Sequence, residues 1–525
     1  MGINTVSDII RVHGVQRADH PALILGEQTI SWGQLYERSC RVANLLVAAG
    51  VGSEDRVAFL DKNGIEHFEV FYGAALLNAV CVDVNWRLAA PEVEYIVNDA
   101  QAKVLVVGAD FLPVLQAIAP NLTSATTVLV ISDAGAGGVG GFSDYETTVA
   151  AHPATDPGTG ATSDDIAFQL YSSGTTGRPK GVMLTNANFF GLLPVAREIW
   201  EFDEDTVNLV AMPLFHIGGG GWAVAGMYNG CTSVIVRDLD PAALIRLFGE
   251  RGITHAFLVP AVLQFMLMVP GVDDADYSTL KVFAYGASPI SEQVLARSVR
   301  MFKCKFWQAY GLTETTGTVV NLPPEDHDPD GPNKHRLRSC GVAGPGVELR
   351  IVDTDTMADL ATGEVGEIWI RSPQVMKGYW NMPEETEKAI TADGWFRSGD
   401  AGFMDDDGYL FIHDRVKDMI VSGGENVYPA EVENVLMAHA GIADVAVIGV
   451  PHDKWGETAK AIVVKAPGSD VSEQDVIDYA REHLARFKCP TSVDWIDALP
   501  RNPSGKILKK DLRAPYWEGR SRNVN

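Results

Sequence analysis

Between residues 57 and 108, short apolar runs at 57–60, 80–84 and 103–108 alternate with stretches of helical period near 65–78 and 91–99, and no other feature of the chain restricts its fold as much. Runs this short and this apolar are strands covered on both faces. When helices separate them, the economical arrangement is a largely parallel sheet with crossover helices, the βαβ rhythm of a doubly wound α/β core. The preceding segment agrees: Ser31-Trp-Gly-Gln34 forms a capping box before a helix that turns Leu35, Val42, Leu45 and Leu46 inward, and Gly50 stops it.

At 525 residues the chain is too long for one compact core, so large and small parts are expected. Residues 133–163 are rich in Gly, Ala, Ser, Thr and Pro and carry no period, which reads as a surface connection without chemistry. Strand and helix patterns then run to about residue 320. The polar stretch 322–340 follows, and after it come shorter strands with glycine turns, where Asp405-Asp-Asp-Gly408 reads as a hairpin turn rather than a calcium loop. After Arg415 the pattern restarts with a helix from Pro429 to Gly441, strands at 443–450 and 459–465, and a helix capped by Ser472 that turns Val476, Ile477, Ala480, Leu484 and Phe487 toward a sheet. The expected fold class is α/β. A large N-terminal domain, 1–415, combines doubly wound α/β sheets with a small β subdomain, and a small α+β domain, 416–525, follows.

Hydrophobic (46%) and charged (21%) contents are those of an ordinary globular enzyme, which excludes wholesale disorder. A formal charge of −26 excludes nucleic acid as the main partner, because a phosphate backbone needs a broad basic surface; an anionic ligand must be met by local donors instead. The six cysteines are scattered with no zinc spacing, which fits a reducing, cytoplasmic setting. The N-terminus lacks the basic start and apolar run of a signal peptide. The most apolar stretch, Ala256 to Pro270, is too short to span a bilayer and reads as a buried helix. Peripheral contact with a membrane surface stays open, as does the choice between monomer and homodimer.

The chemistry centres on residues 171–182, Tyr-Ser-Ser-Gly-Thr-Thr-Gly-Arg-Pro-Lys-Gly-Val. Gly174, Gly177 and Gly181 let backbone N–H groups approach an anion, Ser172, Ser173, Thr175 and Thr176 add hydroxyls, and Lys180 adds a point charge. It is a phosphate loop, but not a Walker A loop: counted from Gly174, that pattern needs glycine at 179 and a hydroxyl residue at 181, where this chain has Pro179 and Gly181.

Further motifs follow in order: Met212-Pro-Leu-Phe-His216, Tyr285-Gly-Ala-Ser288, Tyr310-Gly-Leu-Thr-Glu314-Thr315, Trp395-Phe-Arg-Ser-Gly-Asp400, Asp414-Arg-Val-Lys417-Asp418 and Pro500-Arg-Asn-Pro-Ser-Gly-Lys506. Together they resemble the adenylate-forming superfamily of acyl-CoA synthetases, luciferases and peptide-synthetase adenylation domains, over roughly residues 20–513. Residues 393–420 look more like fatty acyl-CoA synthetases than peptide-synthetase domains. The resemblance implies an ATP-dependent carboxylic acid:CoA ligase that forms an acyl adenylate and then a thioester, with ATP, Mg2+ and coenzyme A as cofactors. It also implies roles for particular residues. Glu314 and Thr175 hold magnesium; Thr313 and the loop hydroxyls hold phosphate oxygens, with Thr315 a further cofactor-binding position; Asp400 and Arg415 grip the ribose. Tyr310 gives adenine a flat face, with Gly286, Ala287, Ser288 and Gly311 near the base, and His216 borders the acyl carboxylate. Lys506 assists adenylate formation from a mobile small domain hinged at Lys417. Gly423, Gly424 and Trp455 match positions beside the pantetheine tunnel, and Arg87 and Lys488 are candidates for CoA phosphates.

The run Gly218–Gly221 reads as space for a bulky apolar acid. Two alternatives stay open: transfer to a carrier-protein thiol, and a nucleotide-binding protein without catalysis. Gln169 departs from the family pattern, which has an apolar residue there.

Overall fold

The structure is a computed structural model that describes residues 2–132, 139–172, 179–288, 290–415, 418–422, 425–452, 455–501 and 507–518; the side chains of 413–415, 421, 425 and 426 are left aside. The βαβ rhythm is realised. Strands Arg56–Leu60, Val80–Asp83 and Val104–Gly108 pair in parallel around helices Ile65–Leu76 and Ala90–Asp99. All of their inward positions are buried. The capping box also forms: the Ser31 hydroxyl accepts from Gln34 N–H at 3.2 Å and Gln34 Oε1 accepts from Ser31 N–H at 2.9 Å.

Those strands belong to an eight-stranded sheet running from Gly378–Tyr379 through Lys180–Thr185, Ile166–Ser172, Val80–Asp83, Arg56–Leu60, Val104–Gly108 and Thr127–Ile131 to Ser143–Asp144. A nine-stranded sheet lies beside it, with parallel strands Pro21–Leu25, Thr232–Ile235, Val207–Val210, His255–Leu258, Val282–Gly286 and Lys305–Leu312 at its centre and antiparallel strands at both edges. One hydrophobic core, containing Trp32, Phe68, Phe168, Phe189 and Phe283, joins the two. A four-stranded antiparallel sheet, Glu348–Val352, Gly366–Arg371, Phe396–Met404 and Leu410–Arg415, follows, with its last hairpin closed through Asp405–Gly408 as expected.

The C-terminal part has a sheet of its own, built on the long hairpin Ile442–His452 and Gly456–Lys465. It also has cores of its own, around Val447, Ala461 and Val476 on one face and Ile448, Ile462 and Leu512 on the other. A large N-terminal domain and a smaller C-terminal one therefore make up the chain.

Three local expectations are corrected. Ala256–Pro270 is a buried strand, His255–Leu258, followed by a helix, Pro260–Leu267, because Pro260 suits the first turn of a new helix and is costly in the interior of one. Phe265 on that helix and Met268 at its C-terminal cap are exposed. The connection 133–163 is not wholly irregular: Asp144 caps a helix, Tyr145–Ala150, whose Tyr145 hydroxyl donates to buried Glu69 at 2.8 Å. Finally, the helix capped by Ser472 ends at His483, so that Val476, Ile477 and Ala480 are buried while Phe487 is exposed in a separate short turn.

Candidate active site

The phosphate loop joins two antiparallel neighbours, Ile166–Ser172 and Lys180–Thr185, in a register that sets Ser172 opposite Lys180. Ser173, Gly174, Thr175, Thr176 and Gly177 lie outside the described residues, as do Lys417, Gly423, Gly424 and Lys506; the side chain of Arg415 does too. What the structure shows is the frame around them.

Glu314 stands in a tight turn, Thr313–Thr315, between the antiparallel strands Lys305–Leu312 and Gly317–Leu322 of the nine-stranded sheet. It is 9% exposed. Its Oε1 accepts from the Ser172 hydroxyl at 3.0 Å and from the Tyr379 hydroxyl at 3.1 Å, and both donors come from the other sheet. Glu314 is thus fixed where the two sheets meet, beside the root of the phosphate loop. The turn itself is held from behind. Thr315 is fully buried, and its hydroxyl accepts from Leu312 N–H and lies within hydrogen-bond distance of the Leu312 and Gly317 carbonyls. The Thr315 hydroxyl thereby shapes the turn that presents Glu314. Half-buried Thr313 opens that turn.

Gly286 and Gly311 are required by strand packing. A Cβ on Gly286 would lie 2.1 Å from the Ala309 carbonyl oxygen, and one on Gly311 would lie 1.7 Å from that of Gly317. Beyond Gly286 the chain turns sharply: Ala287 is exposed at φ 66°, a left-handed backbone that costs an alanine energy and here ends a buried strand at the site. Half-buried Ser288 follows it. The Tyr310 hydroxyl donates to Asp400 Oδ2 at 2.8 Å, which ties the aromatic face in the nine-stranded sheet to a buried carboxylate in the four-stranded one. Opposite Asp400 in the ladder stands Arg415.

His216 caps the helix Ile217–Tyr228. Its Nδ1 accepts from Gly218 N–H at 3.1 Å, so the neutral ring carries its proton on Nε2. The loop before it is clamped by Asn63, which is 6% exposed. Its Nδ2 donates to the Met212 and Val236 carbonyls at 3.0 and 3.2 Å, and its Oδ1 accepts from Leu214 N–H at 3.0 Å. Within the glycine run, Gly219 and Gly220 face backbone rather than open space. A Cβ on Gly219 would lie 2.1 Å from the Pro213 carbonyl oxygen, and one on Gly220 2.8 Å from that of Leu214, so these glycines let the helix fold back on its own entry loop.

Lys180 does not stand open to solvent. Its ammonium pairs with Glu385 at 2.5 Å and lies 4.8 Å from the centre of the Tyr379 ring. Glu385 also pairs with Lys388 at 2.8 Å, and hydrogen bonds from the two lysines bring its carboxyl down to about 2. Arg87 lies over the Trp86 ring at 4.6 Å, Trp86 meets Phe215 edge-on at 6.4 Å, and burial lowers the Arg87 pKa. Lys488 is held by both oxygens of Glu431 at 2.7 and 2.8 Å, and Trp455 is exposed and stacked with His452.

Among the described residues no three His, Cys, Asp or Glu side chains converge on a metal position. One fixed carboxylate beside a phosphate loop nevertheless suits magnesium, which keeps several waters and takes its other oxygens from substrate phosphates.

The model of the AMP-binding enzymes matches residues 10–380, and that of their C-terminal domain matches 431–506. The chain belongs to the AMP-binding enzymes, the adenylate-forming superfamily, and within it to the acyl-CoA synthetases. Among curated relatives of this AMP-binding enzyme, the fatty acid–[acyl-carrier-protein] ligase ScoC of Streptomyces coeruleorubidus is 39% identical over 100% of this chain and 98% of its own. The long-chain-fatty-acid–CoA ligase FadD13 of Mycobacterium tuberculosis is 38% identical over 93% of each. Among solved structures, ATP-bound MatB from Rhodopseudomonas palustris superposes with a TM-score of 0.86 at 30% identity, covering 98% of this chain and 99% of that one. ATP, magnesium and CoA are the substrates and ion of such acyl-CoA synthetases.

Sequence reasoning missed Asn63, Tyr379 and Glu385. Tyr379 lies in Gly378-Tyr-Trp-Asn381, a short aromatic turn whose composition could have flagged it; Glu385 lies in an ordinary acidic helix start and gives no such signal. The departure at Gln169 also has an explanation. Fully buried Gln169 accepts from Arg56 Nε at 3.3 Å, and Arg56 in turn lies 3.6 Å from the centre of the Trp380 ring, so the polar residue serves a buried guanidinium.

Proposed function

We propose that this enzyme activates a fatty or similarly bulky apolar carboxylic acid and passes it to CoA. A carboxylate oxygen attacks the α-phosphorus of ATP, the bond to the bridging oxygen breaks, and pyrophosphate leaves. The CoA sulfur then attacks the acyl carbon, releasing AMP and the thiol proton. The observation that carries the site assignment is the junction of Ser172, Glu314 and Tyr379 between two sheets, with Tyr310 and Asp400 beside it.

In this reading Tyr310 and Asp400 bind adenosine, and the loop hydroxyls with Lys180 bind phosphate oxygens. The Nε2–H of His216 donates to the acyl carboxylate and orients it for attack. Glu314, with Thr175, would hold magnesium, which when bound neutralises phosphate charge as a Lewis acid. Lys506 reaches this site from a small domain, 416–525, that swings about Lys417 so that the acid and the thiol are met in turn. Support for an apolar acid comes from the fatty-acid relatives, not from the glycine run. We place the enzyme in the cytoplasm.

One observation favours a second acceptor: ScoC, similar along the whole chain, is named for an acyl-carrier protein. Pyrophosphate release and thioester formation, measured across a panel of carboxylic acids with CoA or a phosphopantetheinylated carrier protein, test both readings. Turnover of long-chain acids with CoA is expected. Thioester on the carrier alone would replace CoA as the acceptor, and no acid-dependent pyrophosphate would remove the function.

A further inference from the structure

Lys180 and Ser172 are cross-strand partners and project from the same face of their ladder. Ser172 reaches Glu314, and the Lys180 ammonium lies over the ring whose hydroxyl reaches the same carboxylate. The lysine is therefore at the phosphate end of the site, yet its side chain is only 10% exposed and its charge is already met by Glu385. A triphosphate can use this lysine only by drawing it from an anion already in place.

The second cation on Glu385 makes that exchange inexpensive. Lys388, mostly exposed on the same short helix, Pro383–Ala389, holds the other oxygen of Glu385, so the carboxylate keeps a counter-ion when Lys180 turns away. Breaking a partly buried pair is costly chiefly because it strands a charge, and here neither charge is stranded.

We propose that Glu385 is a built-in competitor of the nucleotide phosphates for Lys180: it holds the lysine between turnovers and reclaims it as pyrophosphate leaves. Glu385 thereby sets the affinity for both ATP and pyrophosphate. The proposal rests on the reading of Lys180 as a phosphate ligand.

The test is titration of the full-length enzyme with magnesium and α,β-methylene-ATP, and separately with magnesium pyrophosphate, in wild type, Glu385→Gln, Lys388→Met, Lys180→Met and the double variant of 180 and 385. Glu385→Gln is expected to bind both ligands about three- to tenfold tighter, and Lys388→Met to bind them about two- to threefold weaker, because Glu385 then grips Lys180 alone. Lys180→Met should erase the effect of Glu385→Gln. In turnover, Glu385→Gln should lower KM for ATP and strengthen inhibition by pyrophosphate, a split that loss of structure does not produce. Unchanged or weaker binding by Glu385→Gln would overturn the proposal, leaving Glu385 as a brace for the lysine, and so would tighter binding by Lys388→Met. Wild-type enzyme that binds neither ligand would instead remove the nucleotide reading itself.

Discussion

The two parts of the chain hold their charges in different ways. In the large domain, each key pair joins residues that are far apart in the chain and carried by different sheets or elements: Ser172 with Glu314, 142 positions apart, Tyr310 with Asp400, 90 apart, and Lys180 with Glu385, 205 apart. In the small domain the ion pairs Arg513–Asp418, Lys509–Glu433, Arg501–Asp444 and Lys488–Glu431 all close within residues 418–513. Its hydrophobic clusters likewise contain only its own residues, and a described contact with the large domain is a long hydrogen bond from Gln264 Nε2 to the Ala443 carbonyl at 3.4 Å. The contrast separates two jobs. A nucleotide site needs groups preorganised by several sheets, whereas the small domain, proposed above to swing, holds its core and its counter-ions within itself.

The largest expected effect divides the two parts by chemistry. Lys506→Ala should lower carboxylate-dependent ATP–pyrophosphate exchange by roughly 100-fold or more, while thioester formation from a supplied acyl adenylate persists. Equal loss of both half-reactions would show that the small domain does not act separately in the first.

Stability divides them next. Arg513 and Asp418 form a largely buried pair at 2.9 Å, and Arg513→Met removes a charged hydrogen bond from that carboxylate at a cost of about 2 kcal/mol. Calorimetry should show a lower transition for the small domain with the large one unmoved, and a shift of both together would deny the independence of the cores.

Acid should act on the large domain. His255 and His327 are buried, and burial pulls each down to about 4; their partners are the Trp200 carbonyl and the Thr254 hydroxyl for the former, and the Pro323 carbonyl and the Tyr285 hydroxyl for the latter. The folded value lies below the unfolded one, so the stability is present above about pH 6.5 and is lost as pH falls toward 4. The loss is on the order of 3 kcal/mol per histidine. His327→Gln, which keeps an amide donor and acceptor, should flatten part of the fall of the large-domain Tm over that window.

Asn63→Ala removes two backbone hydrogen bonds from the loop before His216 and a third from Val236, and leaves buried groups unpaired. It should cost the large domain about 2 kcal/mol and raise KM for the acid more than KM for ATP, by steady-state kinetics. Tyr379→Phe keeps the ring under Lys180 but drops one bond to Glu314, so kcat/KM at limiting magnesium should fall about five- to tenfold with little change at saturation. An unaltered magnesium dependence would detach Tyr379 from the metal side.

Much of the fold was legible in the chain, because its signals are local. The capping boxes at Ser31 and Ser472, the hairpin at Asp405–Gly408 and the alternation from 57 to 108 each depend on residues within a few positions of one another. The motifs around the phosphate loop were legible for the same reason. Two glycines have a packing role that the sequence hides: at Gly219 and Gly286 a carbonyl oxygen lies about 2 Å from where a side chain would begin. The turn-shaping role of the Thr315 hydroxyl is hidden in the same way, since a motif alone does not show which backbone groups a hydroxyl meets.

By itself, then, the amino-acid order determined the succession of strands and helices, the turn chemistry and the membership in a reaction family, all of which are written in neighbouring residues. Only the tertiary structure decided that Tyr379 shares Glu314 with Ser172, that Asn63 clamps the His216 loop, and that Lys180 already has an anion. Those pairings depend on sheet register and inter-sheet packing, which bring together side chains 65 to 205 positions apart whose separate neighbourhoods carry no record of one another.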